Sequence, residues 1–564
     1  MSENSHDKII AKLEKIYGAD TAHEIYAQMD DILQPIHNGD SEQLAVSEKD
    51  VILICYGDHV QDGEHPPLQV LHQFLKAHVH PLINSVHILP FYPWSSDDGF
   101  SVIDYYEVNE ALGDWSHVNA MQDDFRLMFD AVFNHMSAKS DWFQKYLAGE
   151  APYDEYFIAV PPETDLSQVV RPRALPLLTP FETARGTKHV WTTFSDDQVD
   201  LNTENPIVLL ELLKILRFYV EQGAELIRLD AIAFLWKQIG TTSIHLEETH
   251  LIIQLMRDVL DVIAPNVVLI TETNVPHEEN ISYFGDGTNE AQMVYQFPLP
   301  PLVLHTMASG DSTHLMNWAK SLDGVGERTT FFNFTASHDG IGLRPVTGIL
   351  SSDEIETLVQ RTKAHGGNIS YKTNSDGSQS PYEMNITYFD AVTNPEITAS
   401  NPEIAVKRFL VSQAIQLSLA GVPGIYFSSL FGARNWSEGV EETGRYRTIN
   451  RQKQDAPALS TALTSDTLFA KVFTGYMQLL EKRRSTDAFH PLASQTVLDM
   501  GTSIFAVQRQ SETDNVLALH NVTDQVVTIN LPDGNWRNLF DDSVCSGAIQ
   551  LNDYAIVWLT QQDD

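Results

Sequence analysis

Eight short apolar segments recur along the first three quarters of the chain, and amphipathic stretches with helical spacing separate several of them. In order they are VILICY (51–56), SVHILPF (85–91), FRLMFDAVF (125–133), ELIRLD (225–230), VVLITET (267–273), AQMVYQF (291–297), TTFFNF (329–334) and GIYFSSL (424–430). Near-continuous apolar strands that alternate with helices are typical of a parallel sheet. Eight such units predict an α/β fold, a closed (β/α)8 TIM barrel.

Helical periodicity is clearest in IVLLELLKILRFYVEQG (207–223) and THLIIQLMRDVLDVIA (249–264), which lie between predicted strands. Apolar residues also recur at helical spacing over 7–35, so the chain is expected to begin with a helical extension of about 48 residues. After about residue 490 the pattern changes to short alternating runs such as SIFAVQRQ and NVLALHNV. Such runs predict a terminal antiparallel β domain.

Two connections are too long for simple strand-to-helix loops, one after the third strand and one after the seventh. Long structured insertions at this side of a barrel usually shape the substrate pocket. The predicted organisation is therefore an N-terminal helical extension (1–48), a first barrel part (49–136), an inserted B subdomain (137–199), a middle barrel part (200–340), an inserted B′ subdomain (341–403), a last barrel part (404–490) and a C-terminal β domain (491–564).

Composition narrows the classes of partner. The 564 residues carry a formal charge of −40, which disfavours nucleic acid and anionic membranes as partners. No apolar run approaches the roughly 18–20 residues of a membrane span, and the first residues do not have the pattern of a signal peptide. The only cysteines, Cys55 and Cys545, are expected to be plain thiols, which favours the cytoplasm. The oligomeric state is left open between monomer and homodimer.

Candidate chemistry lies where three of the apolar segments end. Asp230, Glu272 and Asp339 follow the fourth, fifth and seventh segments, and the carboxyl ends of barrel strands form the active-site rim. Retaining glycosyl transfer needs a nucleophilic carboxylate and an acid/base carboxyl about 5–5.5 Å apart. Arg228 lies two residues before Asp230, so on a strand both side chains point to one face, where the arginine can keep Asp230 ionised.

The segments DAVFNH (130–135), QVDLN (198–202), RLD (228–230), TE (271–272) and SHD (337–339) occur in the order of the signature regions of glycoside hydrolase family 13, the α-amylase superfamily, and resemble them. The resemblance implies that Asp230 is the nucleophile, Glu272 the acid/base and Asp339 the carboxylate that steadies the transition state. It also implies that His135 and His338 bind sugar hydroxyls. Asn134 matches a calcium ligand of some relatives, but no further oxygen ligands cluster around it in sequence, so no metal is predicted.

Finer features resemble the sucrose phosphorylase subfamily. The segment 87–108 resembles the loop in which Asp97 and Phe100 would shape the glucose subsite, VWTTFSDDQVDLN supplies Phe194 and Gln198, and RYRTINR supplies Arg447. Phe234 would help to narrow the pocket, and SPYEMNITYFDA (380–391) resembles the mobile acceptor loop, with Tyr382. RPRALPLLTPF (171–181) resembles a phosphate-binding insertion with Arg173 at the key position. Inorganic phosphate is then a co-substrate, and no cofactor is expected.

The predicted acceptor depends on departures from that subfamily. Tyr382–Glu383 stands where sucrose phosphorylases carry Tyr-Gln, and the segment ITETNVPHEEN and the N-terminal extension resemble the branch that phosphorolyses glucosylglycerol or glucosylglycerate. Glu383 could accept hydrogen bonds from neutral glycerol, whereas Arg434 could bind anionic glycerate.

The acidic composition suits a salt-stressed host that accumulates glucosylglycerol, so this substrate is expected first. Glucosylglycerate phosphorylase, sucrose phosphorylase and α-glucosidase or transglucosidase follow as alternatives. A non-catalytic binding relative is disfavoured because all three carboxylates are present.

Overall fold

A closed barrel of eight parallel strands forms the centre of the molecule, as the sequence predicts. The computed structural model describes residues 3–39, 44–172, 175–322, 326–373 and 378–562. In chain order the barrel strands are β1 (Ile52–Cys55), β2 (Ser85–Ile88), β3 (Arg126–Ala131), β4 (Ala224–Leu229), β5 (Val268–Thr271), β6 (Met293–Tyr295), β7 (Thr330–Phe334) and β8 (Val422–Tyr426).

The strands wind around the barrel in sequence order. Each pairs in parallel with the next along the chain, and β1 closes the barrel against β8 with Ile52 opposite Gly424. Nearly every residue of these strands is buried, because one face lines the barrel interior and the other packs on helices. All eight strands therefore end at the same rim, and the loops that follow them meet there.

Helices cover the outside of the barrel. Pro206–Glu221 begins at the residue where a proline is best tolerated, and the Asn205 side chain accepts a hydrogen bond from the Ile207 backbone N–H. The other helices of this shell are Pro67–His78, Trp115–Ala120, Glu247–Ile263, His277–Ile281, Leu299–Ser309, Thr313–Lys320, Pro402–Ser418, Ser437–Thr443, Ala456–Leu463 and Leu468–Arg484. No helix among the described residues is long and apolar enough to cross a bilayer.

Two inserted segments rise over the rim. The one after β3 contains the helix Asp141–Ala148 and two antiparallel strand pairs, His135–Ser137 with Gln198–Asp200 and Leu178–Thr183 with Gly186–Trp191. The one after β7 contains a three-stranded sheet of Ile341–Gly342, Asn368–Thr373 and Gln379–Asn385, and the helices Ser352–Ala364, Tyr388–Val392 and Pro395–Ser400. The subdomain boundaries given above stay predictions.

The N-terminal region differs from the single helix expected over 7–35. It forms two helices, Glu3–Tyr17 and Ala19–Tyr26, and no α-helix from residue 27 to residue 39. Gly18 separates them with φ +82°, a left-handed conformation that interrupts a helix. The first helix packs on the barrel helix Glu247–Ile263, where the Lys12 ammonium pairs with Asp258.

The C-terminal region is the antiparallel β domain that the alternating runs predict. Its main sheet orders the strands Ser494–Leu498, Ile504–Gln510, Asn515–Asn521, Ile556–Gln561, Trp536–Asn538 and Val544–Cys545, and a second pair joins Val527–Asn530 to Ala548–Leu551. Buried Arg509 donates hydrogen bonds to the backbone carbonyl of Ser418, at the end of a barrel helix. The domain is thereby attached to the barrel shell, away from the rim.

Candidate active site

The three predicted carboxylates meet in one cavity at the rim of the barrel. Asp230 follows β4 directly, Glu272 follows β5 directly, and Asp339 lies in the loop after β7. All three line a cavity of about 380 Å³. Strand ends that are distant in sequence thus supply one site, as a closed parallel barrel requires.

Arg228 is the centre of a buried charge network under this cavity. Its Nη1 donates to Asp230 Oδ1 at 2.7 Å and to Asp130 Oδ1 at 2.5 Å, and the other oxygen of Asp130 lies 2.7 Å from His87 Nε2. Burial alone would raise the pKa of Asp130, but His87 and Arg228 hold it below its ordinary value. Arg228 is thereby fully compensated and held against Asp230.

Glu272 is held by the backbone that follows the nucleophile candidate. Ala231 has φ +48°, an unusual conformation for a residue with a Cβ, and its N–H donates to Glu272 Oε2 at 3.2 Å. Arg228 Nη2 lies 3.8 Å from the same oxygen. The turn after β4 therefore positions both carboxyl groups.

The two carboxyl groups share one electrostatic environment. Burial, with the charges of Glu272 and Asp130, raises the pKa of Asp230 to about 8, and burial also raises the pKa of Glu272, while Arg228 opposes the rise in both. Two carboxyls that interact in this way lose their protons in two separate steps. The arginine hydrogen-bonds Asp230 and only approaches Glu272, so it favours the ionised form of Asp230 the more strongly of the two.

Asp339 lies in a second charge network, built from the last strand and from the inserted segment. Arg447 Nη1 is 2.5 Å from Asp339 Oδ1, and its other nitrogens donate to Glu383 at 3.0 and 2.6 Å. Burial would raise the pKa of Asp339, but Arg447 and His338 hold it well below its ordinary value. Asp339 is therefore the permanently ionised carboxylate of the three.

The remaining glucose-subsite candidates also line the cavity. His135 Nε2 lies 2.9 Å from the Phe100 carbonyl, and Gln198 Nε2 donates to the same carbonyl and to Asp97. The Phe100 ring stacks on His338, with the centroids 4.8 Å apart. Phe194, Phe234 and Tyr382 complete the set. A pocket lined by these aromatic rings and polar groups can hold one sugar unit.

A buried lysine lies behind the site. The Lys237 ammonium donates to Asn134 Oδ1 and pairs with Asp200 Oδ2, each at 2.7 Å. Asp200 also accepts hydrogen bonds from the Thr193 backbone and hydroxyl. The Asn134 oxygen, which the family resemblance raised as a possible calcium ligand, therefore accepts a hydrogen bond from an ammonium. This group joins the ends of β3 and β4 to the first insertion.

The basic residues are arranged differently from the sequence expectation. Arg173 lies outside the described residues. Arg434 does not reach the cavity, because it pairs with Asp390 and lies over the Phe389 ring. Two further basic residues follow Arg173 in sequence, and neither lines the cavity, because Arg185 pairs with Asp154 and Lys188 lies over the Tyr146 ring.

Three cations that the sequence analysis did not single out for this purpose line the cavity instead, namely Arg171, Arg344 and Lys372. Arg344 lies 3.7 Å from Glu279, and within the described ranges Arg171 and Lys372 have no carboxylate partner. Arg171 stands two residues from Arg173, so the RPR segment pointed toward it. Arg344 and Lys372 lie within the predicted second insertion, but nothing in their local sequence indicates that they face the pocket.

Comparison with known proteins agrees with this geometry. Residues 81–347 match the family described as "Alpha amylase, catalytic domain". A glucosylglycerate phosphorylase of Spirochaeta thermophila is 44% identical over 99% of both chains. A glucosylglycerol phosphorylase of Marinobacter adhaerens is 27% identical, over 71% of this chain and 81% of its own.

Among solved structures, a sucrose 6F-phosphate phosphorylase from Thermoanaerobacter thermosaccharolyticum superposes with a TM-score of 0.75. The alignment covers 91% of this chain and 100% of that one at 22% identity, and it shows a shared fold.

Proposed function

This chain belongs to glycoside hydrolase family 13, the α-amylase family, as one of its α-glucoside phosphorylases, and from this premise we propose that it cleaves glucosylglycerate with phosphate. The products are α-glucose 1-phosphate and glycerate. The observation that favours glycerate is the presence of Arg171, Arg344 and Lys372 in the cavity wall, because both glycerate and phosphate are anions.

The first step of the proposed reaction transfers the glucosyl group to the enzyme. Asp230 Oδ attacks the anomeric carbon while Glu272 gives its proton to the glycosidic oxygen, so the bond to glycerate breaks as the bond to Asp230 forms. Asp339 and the ionised nucleophile stabilise the positive charge that develops on the sugar ring. Glycerate then leaves.

The second step uses the same groups in reverse. The hydroxyl oxygen of hydrogen phosphate attacks the anomeric carbon, its proton passes to Glu272, and the bond to Asp230 breaks, which restores the enzyme to its starting state. Two inversions give net retention, which yields the α-phosphate ester. Since glycerate and phosphate occupy the acceptor side in turn, one set of cations can serve both.

The charges around the acceptor side favour an anionic acceptor. Lys372 and Arg171 lack carboxylate partners within the described residues, in a chain whose formal charge is −40. Cationic side chains that line a cavity without carboxylate partners are available to bind an anion there. A carboxylate or phosphate accepts the charge-assisted hydrogen bonds that they offer.

One of the two reasons for expecting glycerol is weakened. It used Glu383 as a hydrogen-bond acceptor for a neutral polyol, but both Glu383 oxygens accept from Arg447 and the residue is buried. The relatives support the same choice, since glucosylglycerate phosphorylase is the name of the 44% identical protein and glucosylglycerol phosphorylase that of the 27% identical one. Glucosylglycerate therefore replaces glucosylglycerol as the proposed substrate.

The purified protein tests the proposal when it is incubated with phosphate and, separately, glucosylglycerate, glucosylglycerol or sucrose. Release of glucose 1-phosphate and of free glucose is measured in each reaction. We expect phosphate-dependent glucose 1-phosphate from glucosylglycerate at a kcat/KM at least about tenfold above the other two. A higher kcat/KM for glucosylglycerol or sucrose would reject the acceptor, and free glucose as the main product would reject phosphorolysis.

A further inference from the structure

A cluster of metal-ligand side chains lies outside the catalytic cavity, where three helices meet. His305 belongs to the helix Leu299–Ser309, His314 to the helix Thr313–Lys320 and Glu354 to the helix Ser352–Ala364. The first two helices follow β6 in the barrel shell, and the third lies in the inserted segment after β7. None of the three side chains lines the catalytic cavity.

The donor atoms already have spacings close to those of a metal site. His314 Nε2 lies 2.8 Å and His305 Nε2 lies 3.4 Å from the same atom, Glu354 Oε1. One donor from each residue lies within 4.8 Å of the others. Zinc binds histidine nitrogen at about 2.0–2.1 Å and carboxylate oxygen at about 2.0–2.2 Å. Tetrahedral ligands at these lengths stand about 3.3–3.5 Å apart, so small side-chain shifts would admit an ion.

The His305 imidazole is poorly satisfied by the protein. The residue is 8% exposed, its buried Nδ1 has no hydrogen-bond partner among the described residues, and its Nε2 has only the 3.4 Å approach to Glu354. Its Nε2, which faces Glu354 without a short hydrogen bond, is therefore available to a metal ion.

Glu354 is held so that one oxygen faces the two imidazoles. Its Oε2 accepts hydrogen bonds from the Ser351 backbone N–H and hydroxyl, both at 2.8 Å, in the capping box that begins the helix. Its Oε1 is left for His305 and His314. Hydrogen bonds that orient a ligating carboxylate in this way are typical of built metal sites.

We propose that His305, His314 and Glu354 bind a divalent transition-metal ion, with Zn²⁺ the best match. Two imidazoles and one carboxylate suit zinc and its neighbours, whereas calcium and magnesium prefer oxygen ligands alone. The fourth position is open to water. This site amends the sequence expectation that the chain has no metal.

The ion would join the inserted segment to the barrel shell. Glu354 begins the first long helix of that segment, and the same segment carries Lys372, Tyr382 and Glu383 over the catalytic cavity. A ligand that binds only the folded arrangement stabilises it by mass action. The site is therefore structural and restrains the part of the enzyme that covers the acceptor side.

The full-length protein, freed of metal by chelation and dialysis, is titrated with Zn²⁺ or Co²⁺. We expect one equivalent to bind, an increase in the thermal unfolding midpoint, and the visible d–d absorption of Co²⁺ in a low-coordinate nitrogen and oxygen site. His314→Ala and Glu354→Gln should each weaken binding at least about tenfold, the range that loss of a ligand or its orientation produces. The metal-dependent shift of each variant is measured against its own metal-free form, which separates it from loss of the helix cap.

His72→Ala is the matched control, because His72 pairs with Asp124 at 2.8 Å outside the cluster. This variant should bind the ion as the wild type does. His314 is partly exposed, so its replacement should leave the fold intact even if a variant at buried His305 fails to fold. Absence of stoichiometric binding to the wild type, or equal binding by His314→Ala and the wild type, would overturn the proposal.

Discussion

At the scale of single residues, Arg228 contacts two similar carboxyl groups differently. It donates to Asp230 at 2.7 Å but stays 3.8 Å from Glu272, and it also donates to Asp130, whose carboxylate balances its charge. A buried arginine favours the ionised form of the nearer carboxyl. Arg228 therefore opposes the rise in pKa that burial gives Asp230, which is what the proposed nucleophile requires.

Asp230→Asn should abolish phosphorolysis, because an amide oxygen is too weak a nucleophile to displace the acceptor. Loss of a catalytic nucleophile typically lowers kcat by about 10⁴-fold or more. No covalent glucosyl-enzyme should appear by mass spectrometry after mixing with an activated glucosyl fluoride. The circular dichroism spectrum should match that of the wild type, and normal turnover in this variant would contradict the mechanism.

Glu272→Gln should separate leaving groups that need a proton from those that do not. Phosphorolysis of glucosylglycerate should fall strongly, while glucosyl fluoride should still react with the enzyme. Burial raises the pKa of Glu272, and its protonated form is the active one in the first step, so wild-type activity should fall as pH rises through that raised pKa. With glucosyl fluoride, which needs no proton, the first step should lack this alkaline limb in the wild type and in the variant alike. Equal losses on both substrates would argue against Glu272 as the acid.

Single residues show how far sequence alone could reach. The sequence predicts that three carboxylates, Asp230, Glu272 and Asp339, lie together, because the strand ends of a barrel meet at one rim independently of the loop conformations. The contacts of Glu383 and Arg434 were not predictable, because they depend on partners far away in sequence. Glu383 pairs with Arg447, 64 positions later, and Arg434 with Asp390. No pattern in the local sequence indicates such ion pairs.

At the scale of elements, the insertion after β7 completes the catalytic end of the barrel. Its strand Gln379–Asn385 carries Glu383, which holds Arg447 against Asp339. Gly340 lets this strand approach, since a Cβ there would lie 2.6 Å from Glu383 Cγ and 2.7 Å from the Met384 carbonyl oxygen. The insertion is therefore part of the active site and not a separate module.

Glu383→Gln should weaken this connection without removing the side chain. Replacing a charged hydrogen-bond partner by a neutral one should cost up to about 1.5–3 kcal/mol, or about ten- to a hundredfold in kcat/KM. Arg447 would then be held less firmly at the sugar, so the loss should be similar for glucosylglycerate and for glucosyl fluoride. A loss confined to glucosylglycerate would instead place Glu383 in the acceptor subsite.

The buried Lys237 joins the first insertion to β3 and β4. Lys237→Met leaves Asp200 buried without its cation, and breaking a buried ion pair in this way costs about 3–5 kcal/mol. The denaturation midpoint should fall accordingly. Lys214→Met, which removes an exposed pair with Glu211, should change stability by about 1 kcal/mol or less. Equal midpoints for the two variants would refute the buried role of Lys237.

Element boundaries show a similar limit on what sequence reveals. All eight barrel strands were predictable from apolar runs, because every one is buried on both faces. The N-terminal helix was predicted too long. The helical spacing of apolar residues continues past Gly18, but the helical backbone conformation is interrupted there. Spacing reports which residues are buried, and a turn can interrupt a helix without changing that.

At the scale of the whole molecule, the chain combines an acidic surface with a group of cations in the cavity wall. The formal charge of −40 would repel both phosphate and glycerate at long range. Arg171, Arg344 and Lys372 supply positive charge at the cavity, where the proposed reaction needs both anions to bind. Composition predicted that an anion site must be concentrated in space, and the fold was needed to identify these three residues as its candidates.

The most direct test of this account compares glucosylglycerate with glucosylglycerol in Lys372→Met. The two substrates differ in the charge of the acceptor, so loss of the cation should lower kcat/KM for glucosylglycerate about ten- to a hundredfold. For glucosylglycerol it should change less than about threefold. Lys407→Met, which removes an exposed pair with Asp553 outside the cavity, is the control and should alter neither value. Equal losses on both substrates in Lys372→Met, or no preference for glucosylglycerate in the wild type, would contradict the account.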